Sequence, residues 1–180
     1  MTTLLLPEGT APAQVEAIFD QVLEACEPLG ITLVGGHTEV SYELPRPIAV
    51  GAMLGEVAKE RAVLTSGARP GDSIVLTKGI AIEGASLLAR EASDALLEAG
   101  VGQDVIEGAR ELLFAPGISV AREAAIACDT VQVHAMHDPT EGGLASGLLE
   151  MAKAAGVGVL VDEERIPTLP ECAELCRALD

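Results

Sequence analysis

The chain has 180 residues, of which 49% are apolar, so it is long enough for a full domain with a core and too apolar for a disordered protein. Its net charge is −17 and its aromatic content is 2%, which exclude the positive stripe and the stacking platforms of nucleic-acid binders. No apolar run approaches the roughly 20 residues of a membrane-spanning helix, and residues 1–7 lack the features of a signal peptide. We therefore predict a cytoplasmic protein that binds neither nucleic acid nor membrane.

The first third of the chain predicts strands around one helix. Residues 3–6 are predicted as a strand, and Thr10 as the N-cap of a helix whose apolar residues recur at three- and four-residue spacing until Gly30. Residues 31–34 are predicted as a short buried strand that leads into a polar turn at 35–39. Residues 48–57 follow as a strand whose small residues indicate close backbone packing.

The rest of the chain mixes strands and helices without regular βαβ units, which favours an α+β, two-layer fold. We place a domain boundary near residue 60 and expect domains at 1–58 and 59–180. The predicted strands of the second domain are 73–77, 131–136 and 157–161. The predicted helices run through Leu87 and Leu88, near 102–113, near 117–127, from residues 137–143 to about 155, and from near Pro170.

Four cysteines are present, and none forms a CxxC pair. Cys172 and Cys176 lie four residues apart on a predicted helix, where their side chains share a face with Leu175 and Leu179. Small buried side chains and a metal-binding pair are both compatible with this spacing.

The first candidate site is Gly35-Gly36-His37-Thr38-Glu39, which follows a predicted strand. Two glycines allow the backbone to turn sharply and to approach a ligand closely. The imidazole, hydroxyl and carboxylate that follow are groups that bind Mg²⁺, a phosphate or a sugar hydroxyl. A tight turn with solvated polar side chains is the alternative, and spacing alone leaves both open.

The second candidate site is the helix start at residues 137–143, where Asp138 precedes a predicted N-cap, Thr140. Gly142 and Gly143 fall in the first turn, where each costs about 1 kcal/mol relative to alanine. An anion that approaches free N–H groups at the positive end of the helix would account for these glycines. Close packing of the helix on a strand would account for them equally well.

The third candidate is Lys78, which ends a predicted strand before a helix and would present a cation to a phosphate. A solvated lysine is the alternative, and the GxxxxGK[ST] pattern of a Walker A loop is absent. His134 and His137 flank another predicted strand end, but spacing supplies too few further ligands for a metal site. We predict a polar His137 beside the loop of Asp138, and a buried His134.

The order and separation of these motifs resemble the aminoimidazole ribonucleotide synthetase (PurM-like) superfamily over nearly the whole chain. The residues of the motifs are most similar to those of the hydrogenase maturation family HypE and of AIR synthase-related proteins. Selenophosphate synthetase and thiamine monophosphate kinase are wider relatives in the same superfamily. The resemblance rests on segments 34–40, 46–48 and 55–57 for the end of an N-terminal domain, and on 69–72, 76–84 and 137–144 for a C-terminal domain.

This resemblance implies two α/β domains, a homodimer in which N-terminal domains pair into a β-barrel, and ATP with Mg²⁺ beside that barrel. It implies dehydration of a thiocarboxamide to a thiocyanate for [NiFe]-hydrogenase maturation, with carbamoyl-transfer and other maturation proteins as partners. By resemblance, the catalytic residues are His37, Glu39 and Lys78, with Glu39 also the metal ligand. The implied nucleotide-binding residues are Gly35, Gly36, Thr38, Asp138, Thr140, Gly142 and Gly143.

Three departures from the family pattern bear on this expectation. The acidic Asp-Asp-Ala loop that binds Mg-ATP is absent, and so is the C-terminal tail that ends in the substrate cysteine of HypE. The position after the double glycine is His37, where relatives often carry aspartate, and Mg²⁺ prefers oxygen ligands. We therefore expect a fragment or a truncated paralogue: a partial dimerising domain at 1–58 and a truncated C-terminal domain at 59–180.

Three functional hypotheses remain at this stage. The first is a HypE-like ATP-dependent maturation enzyme present as a fragment. The second is a synthetase or kinase of the same superfamily with a small-molecule substrate. The third is a non-catalytic module that dimerises or docks a partner.

Overall fold

The computed structural model describes residues 1–179, which form two units. Unit 1 comprises Met1–Arg61, and unit 2 begins at Ala62. The mixed helix-and-sheet class predicted from the sequence is confirmed. No helix of the described residues is long and apolar enough to span a bilayer.

Unit 1 is a three-stranded sheet with one long helix. Strand β1 (Thr2–Pro7) is central, between β2 (Gly36–Ser41) and β3 (Ile48–Gly51). Helix α1 (Pro12–Cys26) connects β1 to β2, and a helical crossover of this kind allows the two strands to run parallel. Strand β3 pairs with β1 in the antiparallel direction.

The register of β1 shows why two sequence predictions are wrong. Residues 31–34 form no strand, and the predicted turn at 35–39 lies largely within β2. Leu4 and Leu6, which are both buried, pair with Thr38 and Val40, so the position of β2 is set by a distant strand. An apolar run alone does not reveal which residues find such a partner.

The ends of two other elements also differ from their predictions. Thr10 does not cap α1: its hydroxyl donates to the carbonyl of Pro7 at 2.7 Å, while the N-cap residue Ala11 donates its backbone N–H to Gln14 Oε1 at 2.9 Å. The strand predicted over 48–57 is limited to β3. Ala52 still exchanges backbone hydrogen bonds with Met1, whereas residues 53–57 pair with no strand among the described residues.

Unit 2 is mainly helical, and its buried core lies among four of its helices. The core residues come from α2, α3, α4 and α7, together with Val101 and Leu112. The predicted helices are confirmed with shifted ends, and α3 is additional. Their bounds are α2 Ile82–Glu91, α3 Ser93–Glu98, α4 Gln103–Glu111, α5 Ala121–Thr130, α6 Gly143–Ala155 and α7 Pro170–Ala178.

The three strands predicted in unit 2 do not form. Residues 73–77, 131–136 and 157–161 have no assigned strand, and the described part of this unit contains one isolated bridge, between Ile80 and Thr168. A strand is stabilised by its neighbours rather than by its own sequence, and these segments have no neighbouring strand here.

Candidate functional site

The first candidate segment places His37 and Glu39 together on β2. Alternate residues of a strand project to the same face, and His37 Nε2 lies 3.2 Å from Glu39 Oε2. Both side chains are largely exposed, at 65% and 61% of their full accessibility. The pair is therefore a solvent-facing imidazole and carboxylate that are free to meet a ligand.

The two glycines of this segment have different surroundings. A side chain at Gly36 would place Cβ 1.7 Å from the carbonyl oxygen of Thr2, so Gly36 permits the close approach of β2 to β1. A Cβ at Gly35 would meet open space. Residues 33–38 line a shallow cavity of about 400 Å³ together with Thr2 and Phe19.

The second candidate segment begins α6 in a different way from the prediction. Gly142, rather than Thr140, is the N-cap residue, and it adopts a left-handed conformation with φ +80°. Gly143 is also left-handed, with φ +62°, and its N–H donates to the carbonyl of Thr140 at 3.1 Å. Two successive left-handed residues favour glycine on conformational grounds alone.

This helix start has room for an anion, although not at every predicted donor. The N–H of Gly143 is already bonded, while those of Leu144 and Ala145 have no backbone acceptor among the described residues. A Cβ on Gly143 would meet open space, whereas one on Gly142 would lie 2.3 Å from Ser146 Oγ. The free N–H groups at the positive end of a 13-residue helix can bind a phosphate in that space.

Two histidine–carboxylate pairs surround this loop. His137 Nε2 lies 2.6 Å from Glu150 Oε2 on α6, and His134 Nδ1 lies 2.9 Å from Asp72 Oδ1. His134 is partly exposed rather than buried as predicted. The backbone N–H of Arg69 and the ring of His134 both hydrogen-bond to the Asp72 carboxylate and hold its pKa below the usual value.

The ammonium group of Lys78 is bound by other residues of unit 2. Its ammonium donates to the carbonyl of Gly117 at 2.8 Å and to that of Ser119, and it lies 3.5 Å from Glu123 Oε1. These three acceptors match the three protons of an ammonium group. Its side chain is 12% exposed, and its contacts lie at residues 117–123 rather than in the loop at 137–143. Its catalytic role stays a prediction.

The described residues contain no group of three or more histidine, cysteine, aspartate or glutamate side chains arranged to hold a metal. Glu39 as a metal ligand stays a prediction. Cys172 is buried, and this burial raises the pKa of its thiol. Cys176, four residues later, is exposed, so the two thiols do not share one buried environment.

The partners Asp72, Glu123 and Glu150 were not found by sequence reasoning. Asp72 is 62 residues from His134, and Glu150 is 13 residues from His137. No helical or strand periodicity connects positions so far apart. Only the sequence Arg-Pro-Gly-Asp at 69–72 gave a local signal, because it is typical of a turn.

The chain belongs to the AIR synthase related protein family. Residues 1–57 match the N-terminal domain of that family, and residues 69–177 match its C-terminal domain. These two matches, in this order, cover both units.

Three individual relatives show which members of the family have similar sequences. The chain is 31% identical to a hydrogenase expression/formation protein of Methanocaldococcus jannaschii, with a match that covers 98% of this chain and 49% of that protein. It is 28% identical to the carbamoyl dehydratase HypE of Cupriavidus necator, over 98% of this chain and 48% of that one. It is 33% identical to a selenide, water dikinase of Dechloromonas aromatica, over 86% of this chain and 40% of that protein.

Solved structures agree with the family assignment at the level of the fold. The crystal structure of E. coli HypE matches with a TM-score of 0.71 at 20% identity, over 99% of this chain and 52% of that one. A structure of HypE in complex with ATP matches with a TM-score of 0.68 at 21% identity, over 99% of this chain and 50% of that one. The chain thus spans about half the length of the relatives that it matches.

Proposed function

We propose that this chain forms part of a HypE-type, ATP-dependent enzyme that dehydrates a thiocarboxamide to a thiocyanate during [NiFe]-hydrogenase maturation. The observation that carries the proposal is the match to carbamoyl dehydratase HypE over 98% of the chain. The open helix start at Gly143 supports a phosphate-binding role within that activity.

The residues present suit the phosphates of ATP better than they suit Mg²⁺. The free N–H groups of Leu144 and Ala145, with open space at Gly143, would bind phosphate oxygens. Mg²⁺ prefers oxygen ligands in octahedral geometry, and Glu39 offers a single carboxylate beside an imidazole. The described residues alone therefore do not fit a complete Mg²⁺ site. The phosphates of ATP would bind backbone N–H groups at the start of α6. That Mg²⁺ accompanies ATP is an expectation from the resemblance to the family.

In the proposed reaction, the carboxamide oxygen attacks the terminal phosphorus of ATP and ADP leaves. The nitrogen then loses two protons, and the C–O bond breaks to release phosphate and leave the nitrile. His37 and Glu39 are the candidate acid–base groups, because they lie together and face solvent. The backbone N–H groups at the start of α6 would stabilise phosphate charge.

A homodimer through unit 1 belongs to the same proposal. Strand β3 is an edge of the sheet, and large apolar side chains such as Tyr42, Val50 and Leu54 are exposed. Open edges with exposed apolar residues favour pairing with another chain. Sedimentation at micromolar concentration tests this, since a well-folded and strictly monomeric protein would contradict it.

Relatives that are selenide, water dikinases favour one second candidate, a small-molecule kinase or synthetase.

A chimera distinguishes the candidate functions. In this chimera, residues 1–180 replace the matched half of Cupriavidus necator HypE. We expect ATP-dependent loss of one water from its carbamoylated cysteine, detected by mass spectrometry, and loss of this activity in a chimera with Glu39→Gln. A folded chimera that binds ATP without dehydration would favour the kinase, and one that does not bind ATP would favour a docking module.

The 180-residue chain by itself should hydrolyse ATP negligibly, because phosphoryl transfer needs metal ions that neutralise the phosphates. A phosphate-release assay with Mg-ATP, run beside Glu39→Ala, checks this expectation. Turnover that disappears in the variant would show that the metal site is complete in this chain.

A further inference from the structure

The loop that precedes α6 packs along the side of this helix. A Cβ at Gly147 would lie 3.0 Å from the Cβ and Cγ atoms of Pro139 and 3.4 Å from the ring of His137. His137 Nε2 lies 2.6 Å from Glu150 Oε2. Glu150 is seven residues beyond Gly143, the first residue of α6, so these contacts extend about 10 Å along the helix axis.

Gly147 is a buried glycine in the interior of α6. Glycine is among the least favourable residues at such a position. Gly147 does not adopt the left-handed conformation of Gly142 and Gly143, so its backbone does not require glycine. The lack of a side chain instead gives room to the loop, because a Cβ would press on Pro139 and His137.

Residues from before the loop hold the same part of the chain. The hydroxyl of Thr65 donates to the carbonyl of Met136 at 3.3 Å. A Cβ at Gly67 would overlap the carbonyl oxygen of His134, so the two backbones approach closely there. Residues 134–139 are therefore fixed both by the turn at Thr65 and by the side of α6.

The path of this loop determines whether the start of α6 is open. The N–H groups of Leu144 and Ala145 have no backbone acceptor among the described residues, and a Cβ at Gly143 would meet open space. A loop released from the side of the helix would be free to fold over this end. Its carbonyl groups or the carboxylate of Asp138 would then accept hydrogen bonds from these N–H groups, as capping residues do.

We propose that Gly147 and Glu150 are positioning residues for the phosphate-binding start of α6. They hold residues 137–139 against the side of the helix and so keep the N–H groups of Leu144 and Ala145 accessible. This inference rests on the proposed phosphate-binding role of the helix start and adds two residues to it.

Glu150 acts through His137. A carboxylate only accepts hydrogen bonds, so Nε2 of His137 carries the proton that they share. The side chain of Glu150 is 62% exposed, and that of His137 is 21% exposed. Exposed pairs of this kind contribute little to global stability. A variant of Glu150 should therefore alter the loop while the fold remains intact.

The first test measures binding to the 180-residue protein by isothermal titration, with inorganic phosphate and ATP as separate probes. Gly147→Ala should weaken binding of both about threefold, because the loop must move away from the new methyl group. The urea midpoint should not fall, since alanine favours the helix. Gly84→Ala is the matched control: it lies within α2, meets open space and should leave binding unchanged.

The second test uses the sign of a charge effect. Removal of a carboxylate should by charge alone strengthen the binding of an anion. We expect Glu150→Ala to weaken phosphate binding about threefold instead, because His137 loses its acceptor. Glu150→Gln retains an acceptor oxygen and should recover most of the affinity. Glu91→Ala, which removes an exposed carboxylate from α2, controls for the net charge.

A spectroscopic readout follows the hydrogen bond itself. The chain has three histidines, so nitrogen NMR of the imidazole rings resolves each one. The Nε2 signal of His137 should shift in Glu150→Ala and stay close to that of the wild type in Glu91→Ala. An unchanged His137 signal in Glu150→Ala would overturn the proposed role of Glu150.

The binding data separate this inference from the function on which it rests. A wild-type protein that binds phosphate, with Gly147→Ala and Glu150→Ala that bind equally well or better, would overturn the positioning role alone. A folded wild-type protein that binds neither phosphate nor ATP would overturn the phosphate-binding role of the helix start, and the positioning role with it.

Discussion

Unit 1 and unit 2 differ in how their folds are held. Among the described residues, unit 1 buries two side chains completely, Leu4 and Leu6, and depends on strand pairing along β1. Unit 2 has a cluster of ten buried residues, contributed mainly by helices. Candidate ligand-binding residues occur in both units, yet only unit 2 supports them with a substantial core. We infer that the His37–Glu39 pair lies on the less stable of the two.

The largest expected effect is the loss of core volume. Leu4→Ala in unit 1 and Ile106→Ala in unit 2 each remove a fully buried side chain, which costs about 2–5 kcal/mol. Urea unfolding followed by circular dichroism should show two transitions, with unit 1 first. Leu4→Ala should move the first transition and Ile106→Ala the second. One transition that both variants move equally would contradict the difference between the units.

Glycine substitutions sharpen the same comparison. Gly36→Ala would force Cβ against the backbone of Thr2 and should destabilise unit 1 by about 1–3 kcal/mol. Gly143→Ala meets open space but keeps φ +62°, so it should cost about 1–2 kcal/mol and weaken phosphate binding. Gly84→Ala is the control, because its site is open and lies within α2.

The readouts for these variants are urea unfolding for stability and isothermal titration for phosphate or ATP. Gly143→Val should abolish the anion affinity while the fold survives. Binding by Gly143→Val equal to that of the wild type would show that the glycine serves the backbone conformation alone.

Lys78 precedes α2 and binds the segment at residues 117–123, so its replacement tests what stabilises unit 2 outside the core. Lys78→Met should destabilise unit 2 by about 1.5 kcal/mol, because it leaves the carbonyl of Gly117 and the carboxylate of Glu123 without their donor. Lys78→Arg should recover part of this loss. A Lys78→Met protein of unchanged stability that loses ATP affinity would instead support the catalytic role predicted from sequence.

The helices could be predicted from the sequence because their signal is local. The three- and four-residue spacing of apolar residues located α1 with small errors at its ends. The strands could not be placed in the same way, since β2 is defined by its register with Leu4 and Leu6. The residues at 157–161 show the converse, because strand propensity without a partner produced no strand.

The residues of the candidate sites show the same difference between what local sequence predicts and what distant partners determine. The predicted residues of each motif lie together because they are adjacent in sequence, as His37 and Glu39 show. The groups that orient them come from distant positions: Glu150 meets His137, and Glu123 meets Lys78. Nothing in one sequence joins these positions, so their roles depend on the folded chain.

The smallest expected effect concerns pH and belongs to the Asp72–His134 pair of unit 2. The hydrogen bond from Arg69 and the contact with His134 lower the pKa of Asp72 in the folded protein. A carboxyl group with a lower pKa in the folded state stabilises the protein above its unfolded pKa of about 4. This contribution fades as the pH falls through the lowered pKa, because protonation then removes the ionised acceptor. The urea midpoint of Asp72→Asn should therefore lie below that of the wild type at pH 7, and the two should converge as the pH falls below the lowered pKa of Asp72. Asp129→Asn, which removes an exposed carboxylate without a hydrogen bond among the described residues, controls for the change in net charge. A difference between Asp72→Asn and the wild type that stays constant or grows on acidification would mean that the carboxylate is not what holds the turn at residues 69–72 to His134.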